Sequence, residues 1–210
     1  MLTKSVGPTG PTGLYALNTT TGTHHATTTE VGDLGSKYML DDSYYVYLNF
    51  PTDMPKLISE INDYVQFKIN NFHYSPTNQF RINFQDDLDK KIRSIMPFEV
   101  SDMGVYQNYP GWDYPIHKDV IRKFAINMLL SDENPDFEVN FLNEDKTEKY
   151  PIPYIKNQFV MLNTQKFHYV KNNSKSVSRF CVSIGCTSID YKTIKKTFSD
   201  NNNIGLYPYN

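Results

Sequence analysis

After Pro97 the chain turns to short segments with a period of two, and this change constrains its fold more than any other feature. Eight β-like runs follow one another: 98–109, 114–120, 123–130, 136–142, 149–155, 158–164, 167–172 and 178–186. Turn signals separate them, among them Pro110-Gly111, Asn134-Pro135, Asn143-Glu144-Asp145, Asn157 and Asn172-Asn173-Ser174. So many short strands in one stretch predict a β-sandwich or a closed barrel. Two helices are predicted ahead of them. One runs over about 54–68, capped by Asp53, with Leu57, Ile61 and Val65 at helical spacing. The other runs from Asp86 to Met96 and carries Leu88, Ile92 and Ile95.

The two ends have a different character. Residues 1–40 are rich in Thr and Gly and poor in charge, with two Gly-Pro-Thr triplets at 7–13. Two triplets are far too few for a collagen triple helix, so this segment is predicted to be a flexible arm. A globular domain is predicted over 41–190. The tail at 191–210 is expected to open with a helical turn and then run loose through its asparagines.

Composition removes several functions. The formal net charge is −2, so no general pull on nucleic acid or anionic lipid is expected. No stretch approaches the roughly 18 uninterrupted apolar residues of a membrane span. The N-terminus also lacks the apolar run of a signal peptide. Cys181 and Cys186 are the two cysteines, and their odd spacing on one predicted strand points them to opposite faces. A disulfide between them is disfavoured, and a reducing, cytoplasmic setting is expected.

Chemistry gathers at the histidines. His24 and His25 lie in the polar arm, and His73 lies in a polar run, so all three read as solvated. His117 is followed by Asp119, and residues two apart on a strand share a face. His168 follows 49 residues after Asp119, and Arg179 comes 11 residues later, opening the last strand of the run. Two imidazoles and a carboxylate form the facial triad of non-haem Fe(II) oxygenases, which leaves coordination positions open. A strand histidine is ordinarily a core or surface residue, and a strand arginine an ion-pair partner. Their order within one β-rich block sets these four residues apart.

These residues carry a family resemblance. The segments YQNYPGWDYPIHKD at 106–119, KFAINMLL at 123–130 and FVMLNTQKFHYVKNNSKSVSRFCVSIG at 159–185 resemble the 2-oxoglutarate- and Fe(II)-dependent oxygenases. The resemblance spans roughly 98–186 and implies a double-stranded β-helix, or jelly roll, supported by N-terminal helices. It implies Fe(II) as cofactor, held by His117, Asp119 and His168. It implies 2-oxoglutarate as cosubstrate, with Arg179 on its far carboxylate. Oxygen would be consumed, a C–H bond hydroxylated, and succinate and carbon dioxide released. The carboxylate of Asp119 favours hydroxylation over halogenation in this family.

Some relatives carry Arg-x-Ser where this chain has Arg179, Phe180 and Cys181. Ser183, Tyr109 and Asn127 are therefore the candidates for a second bond to the cosubstrate carboxylate. Gly111, Tyr114 and His117 also match the spacing of a Tyr-x-x-Gly-x-x-Tyr-x-x-His run in prolyl 4-hydroxylases, with Tyr109 one residue closer than that run requires. A peptide, prolyl or amino-acid substrate is expected, lying against Trp112 and Tyr114. Core packing explains Trp112 equally well. Two other functions fit the same residues: a non-catalytic jelly-roll binding or structural protein with a vestigial metal site, and a zinc-dependent cupin. The zinc reading lacks an evident fourth ligand.

Overall fold

The structure is a computed structural model that describes residues 42–49, 54–71 and 80–205. The predicted arm, Asp53 and His73 lie outside these residues. The described chain is mainly β, with eleven strands in two antiparallel sheets and three helices. β1 (Tyr45–Leu48), β2 (Phe80–Ile82), β3 (Asp102–Asn108), β5 (Phe124–Leu129), β8 (Phe159–Leu162), β10 (Arg179–Cys186) and β11 (Ile204–Gly205) form the larger sheet, in the order β11-β1-β8-β5-β10-β3-β2. The smaller sheet has the order β4-β9-β6-β7 and is built from β4 (Asp113–His117), β6 (Phe137–Leu142), β7 (Lys149–Pro151) and β9 (His168–Asn172).

All eight predicted strand segments are present, most of them shorter at one or both ends, while β4 starts one residue earlier, at Asp113. The period of two explains how the larger sheet works. Phe124, Ile126 and Met128 of β5 share an apolar face with Val182 and Ile184 of β10 and with Met103 and Val105 of β3. That face packs against the helices. Each large aliphatic or aromatic side chain fully buried there contributes roughly 1.5–3 kcal/mol. The alternate residues, including Asn127, Arg179, Cys181 and Ser183, face the space between the sheets. At one side of that space an aromatic cluster forms from Tyr44, Tyr45, Tyr47 and Phe141 with Val160 and Leu162.

α1 (Met54–Asn71) buries Leu57, Ile61 and Val65, one turn apart. α2 (Asp86–Ile95) buries Leu88 and Ile92 and carries Asp86, Asp87 and Asp89 in its first turn, where acidic groups complement the helix dipole. Ile95 faces solvent instead. The helix stops before Pro97, whose ring disfavours helical backbone at Met96. α3 (Tyr191–Asp200) replaces the single turn expected after residue 190. Asp190 caps it by accepting a hydrogen bond from the Thr193 amide at 2.9 Å. Tyr191, Ile194 and Phe198 bury one face on the core, and β11 then pairs with β1. The expectation of a loose tail missed this amphipathic spacing, which three polar asparagines at 201–203 obscure. Among the described residues, no helix is long and apolar enough to cross a membrane.

Candidate active site

A cavity of about 520 Å³ opens between the sheets. Its three candidate metal ligands come from the end of β4, the following turn and the start of β9. β4 is an edge strand, which tolerates Pro115. The β4–β9 register shifts between Tyr114 and His117, leaving His117 directly opposite His168. Their ring centroids are 4.2 Å apart. Asp119 lies two residues beyond the end of β4, not on a strand face as the spacing suggests. The turn still returns its carboxylate to His117, with Oδ1 3.4 Å from Nε2. One donor atom from each of His117, Asp119 and His168 lies within 4.8 Å of the others.

Both imidazoles are oriented in the same way. His117 Nδ1 lies 2.8 Å from the Pro115 carbonyl, and His168 Nδ1 lies 2.9 Å from the Lys166 carbonyl. A carbonyl only accepts, so each Nδ1 carries the proton and each Nε2 lone pair is left to face a cation. Two imidazole nitrogens and one carboxylate suit a mononuclear divalent metal with open coordination positions, and the three residues fit such an ion.

The electrostatics are consistent with that use. Burial pulls the His117 pKa down, but hydrogen bonds to Asp119 and to the Pro115 carbonyl outweigh it and raise the value above 6.5. Burial pushes Asp119 up, yet the His117 contact and the charges of Arg122 and His168 hold its carboxyl below the usual range. Burial dominates at His168, which is lowered and stays neutral. A proton on His117 satisfies one carboxylate oxygen, whereas a bound cation satisfies all three groups.

Arg179 is 4% exposed and lines the same cavity. Its Nη1 donates to Asn108 Oδ1 at 2.9 Å, and its guanidinium lies 4.9 Å from the centre of the Tyr154 ring. No carboxylate among the described residues pairs with it. A buried cation without a counter-charge is costly, and an anionic ligand removes that cost. Around it, Asn127 Nδ2 donates to the Tyr154 hydroxyl at 3.0 Å, and Asn127 Oδ1 is buried without a partner. Burial pushes the Tyr154 hydroxyl and the Cys181 thiol upward, so both keep their protons. The two cysteines are free and lie on opposite faces of β10.

Ser183 faces the cavity and accepts from Arg122 Nη1 at 3.1 Å. Tyr114 lines the mouth and meets the His117 ring edge-on. Tyr109 and Trp112 are not among the cavity-lining residues. Tyr109 is buried, and Trp112 packs in the loop before β4 with its indole N–H buried.

Sequence reasoning missed Arg122 and Tyr154. Arg122 Nη2 pairs with Asp102 Oδ2 at 2.9 Å, and its Nε lies 3.8 Å from Asp119 Oδ2. Its position three residues after Asp119 was the available signal, but the turn that aims it inward depends on contacts with residues 164–165. Tyr154 had no such signal, since it lies in a non-strand stretch after β7.

No protein-family model matches the chain, and no curated protein matches it in sequence. Solved structures do match it. The non-heme alpha ketoglutarate dependent epimerase SnoN from nogalamycin biosynthesis is 12% identical, with 74% of this chain and 81% of that one covered and a TM-score of 0.51. HygX from Streptomyces hygroscopicus, solved with nickel and 2-oxoglutarate bound, is 9% identical over 71% of this chain and 85% of its own, with a TM-score of 0.47. The viral collagen prolyl hydroxylase from Paramecium Bursaria Chlorella virus-1 is 16% identical, covering 68% and 94%, with a TM-score of 0.42. At these identities the likeness is one of fold. The chain has the jelly-roll fold found in 2-oxoglutarate/Fe(II) oxygenases, with a His-Asp-His cluster inside it.

Proposed function

We propose that the protein is a 2-oxoglutarate- and Fe(II)-dependent oxygenase that hydroxylates a C–H bond, with a peptidyl, prolyl or amino-acid side chain as substrate. His117, Asp119 and His168 hold the metal, and Arg179 receives the far carboxylate of the cosubstrate. The observation that carries this reading is the pairing, in one cavity, of a three-donor cluster with a buried arginine that has no carboxylate partner among the described residues. Either feature alone has a structural explanation, and together they describe a metal beside an anion site.

Fe(II) held there would, with 2-oxoglutarate and oxygen, supply the oxidant for hydroxylation, one oxygen atom going to the substrate and the other to succinate, with carbon dioxide released. The protein's own residues do the rest. The Pro115 and Lys166 carbonyls fix the imidazole tautomers, so both Nε2 atoms face inward. The planar guanidinium of Arg179 offers a fork that matches a carboxylate bidentately and stays charged when buried. Asn127, whose amide sits beside Tyr154, is a candidate for a second polar contact to that carboxylate. The apolar side chains of Val139, Phe141, Ile152 and Leu162 line the inner wall and limit the access of water.

The test is incubation with Fe(II), 2-oxoglutarate and proline-containing peptides, free amino acids and a peptide of residues 1–35. Succinate release above the uncoupled background and a +16 Da shift on one substrate class are expected. No succinate from any combination contradicts the reading.

A further inference from the structure

The turn after β4 inverts the usual placement of charge and oil. In Asp119-Val120-Ile121-Arg122 the two charged side chains point inward, while Val120 is 91% exposed and Ile121 is 71% exposed. Seven large apolar side chains are exposed among the described residues, and four of them are Tyr114, Ile116, Val120 and Ile121. Tyr114, Val120 and Ile121 line the cavity mouth. Exposed apolar groups gathered in this way mark a contact surface, whereas scattered ones need no explanation.

The exposure does not come from a loose loop. The Asp119 amide donates to the Thr164 carbonyl at 2.9 Å, and Thr164 Oγ1 donates to the Arg122 carbonyl at 3.0 Å. Gln165 Nε2 reaches the carbonyls of both Asp119 and Arg122, at 2.9 and 2.7 Å. Arg122 is drawn inward by Asp102 and Ser183. Gly185 leaves the room it occupies, since a Cβ there would lie 2.7 Å from Nε. The main chain is therefore fixed at both ends of the turn, and its two aliphatic side chains are held outward beside the metal-ligating Asp119.

Charges near this rim are already matched. Lys171 pairs with Asp113 at 3.0 Å, Lys118 with Glu144 at 2.8 Å, and Arg122 with Asp102. Each of these three cations already has a carboxylate partner.

We propose that the group oxidised in this cavity belongs to a neutral substrate with an apolar face, and that Tyr114, Val120 and Ile121 select it. This rests on the oxygenase reading of the cavity and narrows its substrate class. The rim packs against the flank of the substrate, while the reacting carbon enters beside His117 and His168. Free charged amino acids are disfavoured, because their charges would be desolvated against aliphatic side chains without a partner.

The experiment uses the full chain loaded with Mn(II) and 2-oxoglutarate and compares it with the Val120→Ser/Ile121→Ser double variant. The probes are a capped, uncharged Pro-Pro-Gly repeat peptide and the same peptide with Glu or Lys at alternate positions. The parent is expected to bind the uncharged peptide better than either charged one. The double variant is expected to lose about tenfold or more of that affinity, since each side chain buries apolar area on binding. Its melting temperature and its affinities for Mn(II) and 2-oxoglutarate stay at parental values, because the two side chains are exposed and outside the metal set. Equal affinity of variant and parent overturns the proposal, as does equal or better binding of a charged peptide, or no binding of the uncharged one. A parent that dimerises and a variant that does not would assign the patch to self-association and also overturn it. A parent that binds neither Mn(II) nor 2-oxoglutarate defeats the oxygenase reading itself, which is a separate outcome.

Discussion

His117 and His168 face each other across the edge of the smaller sheet with their rings 4.2 Å apart, and each turns Nδ1 to the carbonyl two residues before it. One register shift in β4 produces this pairing, and Pro115 takes part in it twice. It occupies an edge position that needs no ladder amide, and its carbonyl orients the imidazole that follows.

Removing either imidazole therefore removes a donor that nothing nearby replaces. Metal at about one hundred times its dissociation constant adds roughly 2.7 kcal/mol to a protein that binds it only when folded. The parent is expected to show this rise in thermal stability with Mn(II), and His168→Ala is expected to show none. A variant stabilised as much as the parent excludes His168 from the metal set.

Arg179 is the second point of attack. Arg179→Ala is expected to weaken 2-oxoglutarate binding by roughly 2–4 kcal/mol through loss of a charge-assisted bidentate contact, with Mn(II) affinity retained. Arg179→Lys keeps the charge but not the fork, so it should fall between parent and alanine variant. Titration of 2-oxoglutarate into the Mn(II)-loaded proteins checks both. An unchanged affinity in Arg179→Ala moves the carboxylate site elsewhere in the cavity.

The shifted pKa values set a pH dependence. Without metal, the raised His117 value contributes stability that is full below 6.5 and is lost as pH rises through the raised value. The lowered His168 value acts in the opposite sense: its contribution is full above 6.5 and is lost as pH falls through the lowered value. Asp119, lowered from 3.8, loses its contribution only in stronger acid. Metal needs both imidazoles neutral, so affinity should rise with pH and level off only above the raised His117 value. Mn(II) titrations across pH test this, and a plateau reached already below 6.5 contradicts it.

Gly185 and Arg122 are expected to be coupled. Gly185→Ala places a Cβ against the arginine Nε and should cost about 1–3 kcal/mol by crowding it away from Asp102 and Ser183. In an Arg122→Ala background the same change should cost less, because the clash is gone. A thermal double-mutant cycle measures the difference, and strict additivity would mean that the guanidinium yields without loss.

Strands such as β5 were legible because alternate residues form one apolar face, as Phe124, Ile126 and Met128 show. α3 was harder to read, since its buried Tyr191, Ile194 and Phe198 stand among lysines and threonines that resemble a polar tail. At the site, the order of His117, Asp119, His168 and Arg179 was readable because local spacing carries it. The route that brings Asp119 to His117 was not, because it uses a turn pinned to Thr164 and Gln165 rather than a strand face. Arg122 reaches the cavity, and Tyr154 reaches Asn127 and Arg179, through contacts that join distant segments, and spacing along the chain does not encode them.

The central claim is that a metal at the histidine cluster and a carboxylate at Arg179 belong to one ligand set in one cavity. Calorimetric titration of 2-oxoglutarate into the protein with and without Mn(II) tests it most directly. The account predicts tight binding that requires the metal and is lost in both His168→Ala and Arg179→Ala. Binding of equal strength with and without metal, or none in the metal-loaded parent, would contradict it.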